Sequence, residues 1–174
     1  MMNDVLDAIL TRRSIRKYRP DPVPEELINR VMEAGSYAAS GMGSQSPVMI
    51  AVTNRQVRDA LSSINANIAG AGNIDPFYGA PVVIIVLADK KAPTYLYDGS
   101  LALGNMMLAA HALGLGSCWI HRAKEEFETE NARKILDILG IKGEYEGIGH
   151  LILGYPDGEA LAPRERKEYA FYIR

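Results

Sequence analysis

Within five residues the chain places three guanidinium groups and a hydroxyl, in the run Arg12-Arg13-Ser14-Ile15-Arg16. A guanidinium is a planar fork of donors that matches phosphate oxygens two at a time. If the run converges inside a fold, it forms a seat for a phosphorylated ligand. On its own it reads equally as a solvated basic turn. Other reactive groups form no constellation. His111, His121 and His150 are scattered without ligand spacing, and Cys118 is the single cysteine. An intrachain disulfide and a multi-cysteine zinc site are therefore excluded. Ser14, Ser40 and Ser117 have no paired histidine at a motif spacing, which argues against a hydrolase and leaves no catalytic side chain to name.

The composition bounds the partners. The chain has 174 residues, 48% hydrophobic and 23% charged, with a formal net charge of −2. That suits one domain over residues 1–174 with a sizeable core. It gives no reason to expect nucleic acid or an acidic membrane surface. The longest apolar run, Ala80 to Ala88, is too short to span a bilayer, and the N-terminus has no apolar signal core. A cytoplasmic location is the expectation.

The elements that must position the arginines follow from periodicity. Asn3 or Asp4 can cap a helix with Val5, Leu6, Ile9 and Leu10 on one face. Pro20, Pro22 and Pro24 hold the next stretch extended, and a helix runs from Pro24 to about Ala39. Ser40 to Ser44 breaks it. Strands are predicted at 48–53, 82–87, 114–121 and 147–154, and helices at 55–68, 98–115 and 125–139. The third of these strands follows a glycine cap, and residues 69–75 form a Gly-rich loop. The helix from Asp98 to Leu115 is apolar almost all round, with small residues around Gly104, as for a helix buried against a partner subunit. Helices alternate with strands through irregular connections, which favours a three-layer α+β sandwich. Residues 155–174 form a polar tail with Tyr169, Phe171 and Tyr172 near its end. These three either anchor it across a dimer or pack locally.

Five separated motifs resemble one family when taken in order. They are the run 12–16, the phrase Ala39-Ser40-Gly41-Met42-Gly43-Ser44-Gln45, the block Pro76-Phe77-Tyr78-Gly79-Ala80-Pro81 with its apolar strand, the segment Asn105 to Ile120, and the ending Leu151 to Pro156 with Arg164 and Arg166. Together they resemble the nitroreductase family of FMN-dependent oxidoreductases, as a short member without excursion helices. The resemblance implies a mixed, mainly antiparallel central sheet and an intertwined homodimer with FMN in the interface. It implies that Arg12, Arg13, Ser14 and Arg16 meet FMN phosphate, ribityl and pyrimidine oxygens, and that Arg164 and Arg166 close on the phosphate. Ser40, Gly41 and Gln45 would come from the other subunit. Trp119, Ile120 and His121 would bring backbone to the flavin ring. Asn65 would reach the pyrimidine edge, or else be a polar residue on an exposed helix face.

Departures are visible. Position 43 is Gly where the family often has Asn, and the Trp that usually follows is absent. Many members have Gly or Glu near the place of His121, which is either a donor near the ring or a surface residue ending a strand. His111, His150, Cys118 and the pair Met106-Met107 read most simply as packing residues. The activity implied is transfer of a hydride from NADH or NADPH to FMN, then of electrons to a nitroaromatic, quinone or related small acceptor in a ping-pong cycle. The alternative is a flavin carrier or redox sensor without rapid nicotinamide turnover. Gly70-Ala71-Gly72 lacks the third glycine of a dinucleotide fingerprint, but stacking on a flavin needs none.

Overall fold

A computed structural model describes residues 4–174; Asn3, one of the two predicted caps, lies outside them. The order is α1 (Asp4–Thr11), α2 (Glu25–Ser36), β1 (Pro47–Val52), α3 (Arg55–Ala69), β2 (Val82–Asp89), α4 (Tyr95–Ala112), β3 (Gly116–Ile120), α5 (Ala123–Phe127), α6 (Glu130–Ile138) and β4 (Tyr145–Gly154). The strands form one sheet, β1-β2-β4-β3, with every pair antiparallel. Among the described residues, parallel pairing is confined to a single bridge between Ser14 and Ser117.

The β2 run explains the three layers. Its side chains alternate across the sheet and all are buried through Ala88. Val82, Ile84, Val86 and Ala88 join Val31 of α2 and Leu103 and Met106 of α4 in one core. Val83, Ile85 and Leu87 join Leu61 of α3 and Phe127 of α5 in the other. A strand apolar on both faces is what a sheet sandwiched between helices requires.

Two element predictions are corrected. The helix predicted from Asp98 begins at Tyr95, because Asp98 is no cap: its carboxylate is buried and turned toward the 40–46 loop. The helix predicted over 125–139 is two helices. Thr129 leaves helical geometry, and its hydroxyl caps α6 by accepting from Ala132 N at 3.3 Å. Among the described residues, no helix is long and apolar enough to cross a membrane.

Candidate functional site

The basic run leaves α1 and lies along β3, the sheet edge. Ile15 N donates to Ser117 O at 3.0 Å. This approach needs Gly116, where a Cβ would meet Ile15 side-chain atoms at 2.9 Å. The tail then pairs with the same segment: Arg19 N donates to Tyr155 O at 2.9 Å and Asp157 N to Lys17 O at 3.0 Å. That pairing turns the tail back over the run. Arg12, Arg13, Ser14, Arg16, Arg164 and Arg166 thereby line one cavity of about 250 Å³.

None of these five guanidinium groups joins an ion pair among the described residues, though the chain as a whole is slightly acidic. Arg13 is steadied by Nη1 donating to Leu10 O at 2.8 Å and Arg12 O at 2.7 Å. Its Nε and the Nη1 of Arg12 are buried without a hydrogen-bond partner. Buried charged donors left unpaired are costly, and an anion beside them would lower that cost.

Beyond its bridge to Ser14 at Ser117, β3 runs on to Ile120, and His121 follows it. Trp119 and Ile120 are half-buried and His121 is exposed. Asn65 is on neither an exposed face nor an exposed turn of α3: it is 1% exposed. Its Nδ2 donates to His121 O at 2.9 Å, which leaves its Oδ1 buried and unpaired. The accepting carbonyl fixes which end of the amide is which.

The 40–46 loop is held by Asp98. Gly41 N donates to Asp98 Oδ1 at 3.0 Å, and Ser46 Oγ donates to Oδ2 at 2.7 Å. Ser44 and Thr94 hydroxyls donate to the same Oδ2 at 3.1 and 3.2 Å. Burial pushes the Asp98 carboxyl up, and these four donors, Ser46 foremost, pull it below its ordinary value. Gly41 is required here, since a Cβ would collide with the Thr94 side chain. Gln45 N donates to Ser40 Oγ at 3.0 Å. Ser40, Gly41 and Gln45 do not line the arginine cavity within one chain.

The 75–81 loop is held by Asp75, which the sequence reading passed over. Asp75 accepts from Phe77 N at 2.9 Å, Gly79 N at 2.7 Å, Ser62 Oγ at 2.6 Å and Arg58 Nη2 at 2.5 Å. An Asp two residues before a backbone donor, with a Gly further on, is the available signal for such a turn. His111 sits with Nε2 2.9 Å from Thr11 Oγ1, and Cys118 is buried.

The donor set fits FMN. Five guanidinium groups lining one cavity match what a phosphate requires, and the unpaired Asn65 Oδ1 is an acceptor of the kind a ring N–H requires.

Comparison with known proteins bears on the family and the fold. A sequence profile described as the nitroreductase family matches residues 9–155. A protein of Methanothermobacter thermautotrophicus with the provisional name NADH dehydrogenase/NAD(P)H nitroreductase is 39% identical over 139 residues, covering 78% of this chain and 70% of the relative. The FMN reductase [NAD(P)H] of Bacillus subtilis is 26% identical over 190 residues, covering 96% of this chain and 72% of the relative. The crystal structure of a nitroreductase with bound FMN from Bacteroides fragilis superposes with a TM-score of 0.87 at 30% identity, covering 99% of each chain.

Proposed function

The chain belongs to the nitroreductase family, and we propose that it is an FMN-dependent oxidoreductase that takes electrons from NADH or NADPH and delivers them to a nitroaromatic, quinone or related small acceptor. The observation that carries the reading is the cavity lined by five guanidinium groups without ion pairs among the described residues, two of which bury unpaired N–H donors. When bound, FMN supplies the redox chemistry, and the protein positions it and tunes its electronics.

We assign the roles as follows. Arg12, Arg13, Arg164 and Arg166, with the Ser14 hydroxyl, hold the phosphate. Arg16, further along the same course, presents positive charge to the ring's pyrimidine edge and favours the negative charge that accumulates there. Asn65 offers its buried Oδ1 to a ring N–H, and its bond to His121 O holds the end of β3 in place. Trp119, Ile120 and His121 contribute backbone beside the ring.

Ser40, Gly41 and Gln45 complete the site from a second copy, so the working unit is a homodimer. Support comes from apolar surface left open by one chain: Val5, Leu6, Ile9 and Leu10 on α1, Leu101 on α4, and Tyr169, Phe171 and Tyr172 on the tail are all exposed. The tail aromatics thus make no local core. Both substrates use one site in turn, which is a ping-pong cycle. Initial rates with nicotinamide and acceptor both varied should give parallel double-reciprocal lines. Intersecting lines would reject the shared site.

A further inference from the structure

Four non-glycine residues among those described have positive φ: Met42, Gln45, Tyr78 and Arg122. Met42 and Gln45 lie in the 40–46 loop, Arg122 follows His121, and Tyr78 lies in the 75–81 loop. Positive φ costs a side-chain-bearing residue free energy, and for a bulky one it is a true outlier. Tyr78, at φ 52, is the aromatic among them.

The surrounding loop is built to hold Tyr78 this way. Asp75 O accepts from Tyr78 N at 3.1 Å, and the Asp75 carboxylate binds the backbone N–H on either side, at Phe77 and Gly79. Phe77 is fully buried and plugs the loop into the core. Tyr78 beside it keeps 43% of its surface exposed. Its hydroxyl has no hydrogen bond among the described residues. Its ring centroid is 6.0 Å from the Arg16 guanidinium carbon. The strained aromatic therefore stands beside the arginine assigned to the flavin's ring end.

We infer that Tyr78 is a specificity residue: its ring is one wall of the acceptor site, against which a planar aromatic substrate stacks. This rests on the flavin reading above. Offset stacking of aromatic rings has the magnitude to change selectivity by about tenfold. Glycine at position 78 would keep the left-handed backbone without cost and remove only the ring.

The test compares FMN-loaded wild type, Tyr78→Gly and Tyr78→Phe with two acceptors, a planar nitroaromatic and ferricyanide, which has no ring to stack. FMN content is read from the visible spectrum of each protein. Tyr78→Gly should lower the ratio of kcat/KM for the nitroaromatic over ferricyanide by about five- to tenfold, mainly through KM. Tyr78→Phe should keep the wild-type ratio. An unchanged ratio in Tyr78→Gly at full FMN occupancy overturns the inference and leaves the flavin reading intact. Wild type that takes up no FMN overturns the flavin reading, and the inference falls with it.

Discussion

Ser46 Oγ donates to Asp98 Oδ2 at 2.7 Å, joining the loop before β1 to the first turn of α4, and both residues are buried. Asp75 has the equivalent part in the 75–81 loop. Burial pushes its carboxyl up, but Arg58, Ser62 and the backbone of Gly79 and Phe77 hold it below its ordinary value. Both aspartates are thus depressed in the folded chain. Each binds fewer protons folded than unfolded. Its stabilisation is complete above the unfolded carboxylate range, near pH 3.9, and is lost as pH falls through the lower folded value. Urea unfolding followed against pH should show stability dropping below about pH 4. The Asp75→Asn, Asp98→Asn double variant should be less stable at pH 7 and show a shallower acid drop. An equal drop in both proteins would contradict this assignment.

Glu126 and His150 lie in the core between α5 and β4, both 0% exposed, with Oε2 and Nε2 2.7 Å apart. No other hydrogen bond reaches either side chain among the described residues. His150 also packs against Phe77 at 5.2 Å between ring centroids. Breaking such a pair leaves one buried polar group alone, whereas removing both relieves the burden. Glu126→Leu alone should cost about 3 kcal/mol or more, and Glu126→Leu with His150→Leu should be near neutral or stabilising by denaturant titration. Additive losses in the double variant would refute the coupling.

Binding of the phosphate has its own signature. Arg12→Ala or Arg164→Ala should weaken FMN by about 1.5–3 kcal/mol, the range for a hydrogen bond to a charged group. Riboflavin, which has no phosphate, should bind the wild type more weakly and be indifferent to either change. Fluorescence titrations with both flavins check this. Equal affinity for the two would remove the phosphate from the arginine cavity.

Assembly is read at Gly104 of α4. A Cβ there meets nothing within 4 Å in one chain. In an obligate dimer burying on the order of 2,000 Å² or more, that open face is covered. Sedimentation velocity at micromolar concentration should show a dimer, and Gly104→Leu should disrupt it through overpacking. A folded, FMN-loaded wild-type monomer would contradict the interface.

How legible all this is in the sequence depends on range. β2 is plain because a β-branched run without polar residues has few other uses. The arginine run and tail arginines are visible as types, but their meeting is not. It depends on Gly116 admitting Ile15 and on the Tyr155–Asp157 segment pairing with Lys17–Arg19, both long-range contacts. Asp98 looks like a helix start because carboxylates favour that place. Its partners are more than fifty residues away, apart from Thr94. Asn65 stands open between the flavin edge and an exposed helix face for the same reason: only the fold brings His121 O to its amide. The left-handed backbone of Tyr78 leaves no trace in residue types, because tyrosine does not advertise it.

The central claim is that this chain holds FMN and exchanges electrons with a nicotinamide. The direct measurement is the absorbance of FMN-loaded protein under anaerobic conditions as NADH or NADPH is added. The flavin band should bleach with at least one of them and return when a nitroaromatic or quinone follows. If fully loaded protein is bleached by dithionite or light but by neither nicotinamide at millimolar concentration, the oxidoreductase reading is wrong and the chain is a flavin carrier or sensor.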